Sequence, residues 1–295
     1  MSKRPPITQE MIRLYDEYTH ITYDRRAFMA RLTALAGSAS AAAAIAPLLA
    51  ADKARAAMVA EDDARLSAER VSFAGADGAE MSGYLAKPAE SDGPLPAIVV
   101  IHENRGLNAH IQDVARRAAV EGFIALAPDF LSPAGGTPQD EDEARQMIGA
   151  LDQAATLANA VAALDYLISR EDTSGKVGAV GFCWGGALVN QLAIHAGDDL
   201  AAGVAFYGRT PDPSQVGQIE AVMLLHYAGL DERINAGIAE YEEALKAEGV
   251  AHRIHIYDGV NHAFHNDTSA ARYDAEAAKL AWERTIAFFK EQLSG

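Results

Sequence analysis

Gly181-Phe182-Cys183-Trp184-Gly185-Gly186 is the stretch whose reading decides the fold. It follows the apolar run Val177 to Val180 and precedes a helix-like run from Ala187 to His195. The order is strand, tight turn, helix, with glycines on both sides of the residue at the apex. Glycines suit such a turn because larger side chains there would strike the neighbouring strand and helix. A residue held on this kind of strand-to-helix turn is presented at the top of a sheet, which is where a nucleophile sits. Here that residue carries a thiol, and Cys183 is the one cysteine in the chain. A buried, inert cysteine in a turn is the other reading. The rest of the chain decides between them.

Working outward, the chain from about Arg70 alternates strands and helices. Val71 to Phe73 and Met81 to Leu85 flank Gly75-Ala76-Asp77-Gly78 and read as a hairpin. Ile98-Val99-Val100-Ile101 is an uninterrupted apolar strand of the fully buried kind. Ile111 to Glu121 reads as a helix, Phe123 to Ala127 as the next strand, and Pro128 to Pro138 as a loop. Leu157, Val161, Leu164 and Ile168 mark an amphipathic helix ahead of the Cys183 strand. Gly203 to Tyr207, Val222 to Tyr227 and His252 to Tyr257 are further strands, with helices over Ala236 to Glu248 and Ala275 to Leu293. This pattern predicts an α/β fold: a mostly parallel sheet with helices on both faces and an antiparallel hairpin at its start.

A thiol nucleophile needs a base, and the base needs an orienting group. Open parallel sheets carry their sites at the carboxyl ends of the strands. Asp231 follows the strand Val222 to Tyr227, and His262 follows the strand that ends near Tyr257. Each has a plain alternative. An Asp after Gly-x is commonly a turn or a helix cap, and a His after Gly-x-Asn can be a loop residue. The order nucleophile, acid, His and the placement at three strand ends join them into a candidate triad, Cys183, Asp231 and His262.

Further pieces extend the pattern: Ile101-His102-Glu103-Asn104-Arg105-Gly106-Leu107-Asn108, Ala127-Pro128-Asp129, Phe206-Tyr207-Gly208, Leu230-Asp231 and Asn261-His262-Ala263-Phe264. On these the chain, from about Val71 onward, resembles the dienelactone hydrolase family, a Cys-His-Asp branch of the α/β-hydrolases. The resemblance implies a cofactor-independent, metal-independent hydrolase of small esters or lactones, of the carboxymethylenebutenolidase type. It implies that Glu103 lies near the resting thiol as a carboxylate guard. Backbone N–H groups of Asn104 and Trp184 are expected to form an oxyanion hole. Family members that cleave dienelactone grip its carboxylate with arginines, one of them shortly after the catalytic His. Here that place reads His265-Asn266-Asp267, without an arginine, so a substrate other than dienelactone is expected. Arg105, Arg209, Tyr207 and His265 are the candidate substrate-binding residues, and the two arginines can equally serve as structural ion-pair partners. His102, His226 and His265 invite a metal reading with His262 that no spacing supports.

Two other functions compete with ester hydrolysis: a thiol peroxidase-like redox protein using Cys183, and a non-catalytic binding protein on the same scaffold. The net charge of −16 argues against nucleic acid as a partner.

Residues 1–65 differ from the 66–295 hydrolase-like domain. Asp24-Arg25-Arg26-Ala27-Phe28-Met29, a mild apolar run from Leu32 to Ala50 and the small residues of Ala54-Arg55-Ala56 resemble a twin-arginine export signal with a mature start near Ala57. That reading places the protein in the periplasm. The run is too weakly apolar for stable membrane insertion. The competing reading is a structural arm of a cytoplasmic protein. Met11, Leu14, Tyr15 and Tyr18 share one helical face with Asp16 and Glu17 opposite, which suits packing on a second subunit of a homodimer.

Overall fold

The structure, a computed structural model, describes residues 6–20, 24–50 and 57–294. The proposed peptidase site, Ala54-Arg55-Ala56, lies outside the described residues.

Eight strands form one sheet in the order β1-β2-β4-β3-β5-β6-β7-β8 among the described residues. β1 (Leu66–Ala74) and β2 (Glu80–Pro88) pair antiparallel, and β2 pairs antiparallel with β4 (Ile124–Asp129). β3 (Leu95–Ile101), β5 (Thr173–Phe182), β6 (Ala202–Phe206), β7 (Val222–Ala228) and β8 (His252–Tyr257) complete the parallel part. The apolar run of β3 is explained by burial on both faces. Ile98 and Val100 enter one core layer, Val99 and Ile101 the other.

Helices cover both faces. α4 (Ala109–Val120) and α10 (Ala275–Leu293) contribute to the layer of Ile98, and α6 (Gln153–Ile168), α7 (Trp184–His195) and α9 (Ile238–Ala247) to the layer of Val99. Their starts are set by side-chain caps. Asn108 accepts from Ile111 N, Asp152 from Ala155 N and Asp274 from Ala277 N, each satisfying an otherwise orphaned amide. The loop read from Pro128 to Pro138 leads into α5 (Glu141–Gly149), which the apolar periodicity did not mark. Its cap is Asp140, and it buries only Ala144 and Ile148.

Ahead of the sheet, α1 (Gln9–His20), α2 (Arg25–Ala36) and α3 (Ala39–Leu49) form a small bundle with its own core. Asp24 caps α2, Gly37 ends it at φ 78°, and Ser38 caps α3. No single described helix is long and apolar enough to cross a membrane.

The apolar face of α1 packs against α2 and α3. Asp16, expected on the outer face, turns inward and keeps only 16% of its side chain exposed. Helical spacing locates the apolar stripe, but it cannot say which polar flank a second body will cover.

Candidate active site

The Cys183 turn is built by close backbone approach. A Cβ on Gly181 would stand 2.1 Å from Gly185 O, one on Gly185 2.5 Å from both Ile101 O and His102 O, and one on Gly186 2.7 Å from Phe206 O. Side chains at these positions would drive α7 off the sheet. Cys183 sits at φ 56°, ψ −109°, a strained conformation for a residue with a side chain. Its N–H donates to Phe206 O at 2.9 Å. The strain fixes the thiol above the carboxyl edge of the sheet.

Asp231 lies just beyond β7 and divides its carboxylate between two tasks. Oδ1 accepts from Ile234 N at 3.3 Å and caps the short α8 (Glu232–Asn235), while Oδ2 accepts from His262 Nδ1 at 2.5 Å. One carboxylate thus caps α8 and holds the His262 ring at the same time. His262 is 4% exposed. Because Nδ1 faces a carboxylate, it carries the proton, and the Nε2 lone pair is left without a described partner.

The thiol's own hydrogen-bond partner is a residue that the sequence reading missed. His20, the last residue of α1, places Nε2 2.9 Å from Cys183 Sγ. Its Nδ1 faces Asp16 O at 2.8 Å and Asp16 Oδ1 at 3.3 Å. The rings of His20 and His262 meet edge to face with centroids 4.5 Å apart. Burial works against a charge on His20, but the Cys183 sulfur and Asp16 outweigh it and raise its pKa to about 9. Burial likewise opposes the Asp16 charge, yet His262, His20 and Arg272 hold that carboxyl well below the usual range. The i, i+4 spacing of Asp16 and His20 was visible, but nothing in the sequence tied it to a cysteine 163 positions away.

Glu103 shares a small pocket with Cys183 and accepts from Asn266 Nδ2 at 2.6 Å through Oε2. The hydrogen-bond contact to the thiol among the described residues is made by His20. Asn104 follows β3, and its side chain donates to Thr19 O at 2.8 Å. Trp184 opens α7, so its N–H is one of the first-turn amides without an intrahelical acceptor. Its ring stacks on His102, which is held by Glu103 O and Phe130 N.

The substrate-binding candidates separate. Arg105 is engaged by Glu141 and by the Tyr15 hydroxyl, the latter at 3.1 Å. Arg209 lines the cleft and has no ion pair among the described residues. Tyr207 is buried at φ 39°, its ring 4.9 Å from that of His262, and burial pushes its phenol well above the ordinary value. His265 corrects the reading: it lies in the aromatic core, stacked on Phe182 and near Phe206 and Trp282, and burial pushes its pKa well down. His226 is likewise internal, between Tyr257 and Thr285.

The histidines that gather with a cysteine are His20 and His262, whose polar atoms and Cys183 Sγ lie within 4.8 Å of one another. Cysteine and histidine donors suit zinc, but ligands bridged by zinc stand about 3.5 Å apart, and the 2.9 Å between His20 Nε2 and Sγ is a direct contact. A cleft of about 980 Å³ opens onto Cys183, His262 and His20 together. Its walls include Ile148, Leu151, Leu188 and Arg209 from the sheet-bearing body and Thr19 from the arm.

A parallel sheet with a Cys-bearing elbow after β5 and a His–Asp pair after the last two strands defines an α/β-hydrolase. The dienelactone hydrolase family profile matches residues 81–293. A Saccharolobus solfataricus protein provisionally named carboxymethylenebutenolidase is 32% identical, with 75% of this chain and 98% of the relative covered. The Aquifex pyrophilus protein usf is 33% identical over 74% of this chain and 96% of its own length. Among solved structures, a dienelactone hydrolase-like promiscuous phosphotriesterase from metagenomic libraries superposes with TM-score 0.70 at 27% identity, covering 78% of this chain and 100% of its own. This chain belongs to the dienelactone hydrolase family, and it is a hydrolase.

Proposed function

We propose that this protein hydrolyses small carboxylic esters or lactones through a covalent thioester on Cys183. The observation that carries this reading is the buried Asp231–His262 pair at 2.5 Å, whose free Nε2 stands beside the strained Cys183 on one cleft. The sulfur attacks the substrate carbonyl, and the resulting oxyanion lies against the N–H groups of Asn104 and Trp184. Expulsion of the alcohol leaves the thioester. His262 Nε2 then draws a proton from water, and the hydroxide releases the acid. Asp231 keeps the imidazole in the tautomer this step needs.

The cleft is lined by apolar side chains such as Ile148, Leu151 and Leu188 together with polar ones, and it carries Arg209, which has no ion pair among the described residues. That composition supports a compact acyl group with an anionic or strongly polar substituent. The names of the curated relatives support the ester and lactone class. Turnover of p-nitrophenyl acetate and of a simple aryl lactone by wild type, Cys183→Ala and His262→Ala tests the reading. Cys183→Ala is expected to lose at least about 1,000-fold in kcat/KM, and His262→Ala at least about 1,000-fold in kcat, because hydrolysis of the thioester then limits turnover. Undiminished ester turnover by Cys183→Ala would refute the assignment.

A further inference from the structure

We propose, building on Cys183 as the nucleophile, that His20 of the N-terminal arm is a second catalytic histidine and takes the Cys183 proton during acylation, leaving His262 to activate water. The geometry assigns different positions to the two rings. His20 Nε2 is in hydrogen-bond contact with Sγ at 2.9 Å, and the thiol has no other described hydrogen-bond partner. His262 Nε2 is buried without a described partner. Both rings are oriented alike, each with an acidic residue on Nδ1: Asp16 for His20 and Asp231 for His262. With Nδ1 donating to the Asp16 carbonyl oxygen, an acceptor only, Nε2 is the nitrogen that faces the sulfur and can hold its proton.

The arm holding His20 is fixed by polar contacts made next to the site. Asn104 donates to Thr19 O, Arg105 to Tyr15 Oη, and Asp16 stands 3.7 Å from Arg272 and 3.9 Å from Arg233. The docked arm does not seal the site, because the cleft reaches His20, Cys183 and His262 together. Substrate can therefore arrive with the arm in place.

The proton balance closes. The Sγ–H proton passes to His20 Nε2 as the S–C bond forms and the carbonyl electron pair moves to oxygen. The C–O bond breaks, and the departing alkoxide takes that proton as the alcohol. His262 Nε2 removes a proton from water, and hydroxide attacks the thioester. The C–S bond breaks with its electron pair on sulfur, and the proton held by His262 returns to the thiolate. Ester and water enter, and acid and alcohol leave.

Pre-steady-state kinetics with p-nitrophenyl acetate on the full chain separates the two roles. His262→Asn is expected to give a burst of one nitrophenolate per enzyme and an acetyl adduct on Cys183 visible by intact mass. His20→Asn is expected to acylate about 100-fold more slowly and to accumulate no adduct. His20→Ala with added imidazole is expected to recover adduct formation, which a purely structural role for His20 would not allow. Asp16→Asn is expected to slow acylation about 10-fold, less than loss of His20 because the Asp16 carbonyl still orients the ring. A wild-type burst rate in His20→Asn overturns the proposal while leaving Cys183 as nucleophile. A His262→Asn enzyme that fails to acylate overturns it as well, because His262 would then serve both steps. No adduct on Cys183 in wild type or any variant removes the nucleophile reading and this one with it.

Discussion

The elbow and the arm hold the same sulfur by opposite means. At the elbow, glycine contacts as short as 2.1 Å from a hypothetical Cβ lock the backbone, and Phe182 and Cys183 are parts of the main core. The arm keeps its apolar side chains to itself. Met11, Leu14, Tyr15, Tyr18, Phe28, Leu32 and Ile45 form a separate cluster, with Ala271 the body side chain packed against it. What joins arm to body is polar or aromatic–cationic: Asn104 with Thr19, Arg25 with Asp142, Arg145 over Tyr18 and Arg272 over Tyr15. Apolar burial is worth roughly 25 cal/mol per Å², whereas exposed ion pairs contribute about 0–1 kcal/mol each. The thiol is therefore placed by the rigid body and supplied with a partner by a separately packed arm.

Breaking the rigid side has the largest expected effect. Gly185→Ala puts a methyl group 2.5 Å from two carbonyl oxygens of the adjoining backbone, and it should cost about 3 kcal/mol or more. Thermal unfolding followed by circular dichroism should show a clear fall in Tm of the whole body. An unchanged Tm would mean that the elbow is not the packed unit described.

The arm should yield separately. Leu32 is fully buried in the arm cluster, and Leu32→Ala should remove on the order of 2 kcal/mol from the arm alone. Limited proteolysis is expected to cut between residues 9 and 49 while the body's Tm stays within a degree or two. Loss of both together would show that arm and body form one cooperative unit.

The subtlest effect is that of pH on docking. Asp16 is held below its ordinary value, so its contribution is present above about pH 4 and is lost as pH falls. His20 is raised from 6.5 to about 9, so its contribution is full below 6.5 and fades as pH rises through 9. Hydrogen-exchange protection of α1, taken relative to the intrinsic rate at each pH, should be greatest between about pH 4 and 6.5 and fall on either side. Exchange of α1 that tracks the body across the range would remove the distinction drawn between the two regions.

Much of the body was legible. The glycine-flanked Cys183, the apolar β3 and the strand ends carrying Asp231 and His262 obey local rules of spacing and turn chemistry, and those rules survive folding unchanged. α5 was missed because nine residues with two buried side chains leave too faint a period. His265 was misplaced because a His three positions after His262 reads as loop, while its ring turns into the aromatic layer.

By itself the sequence determined the order of the eight strands and of the long helices between them, the α/β-hydrolase class and the identity of the residues at three strand ends. These follow from periodicity and from backbone positions that only glycine can fill. Only the tertiary structure decided what touches the thiol. The meeting of His20 and Cys183 spans 163 positions and depends on how an amphipathic helix seats its polar flank. No local pattern encodes that choice, because the contact is set by the charges and shape of the surface on which the helix comes to rest.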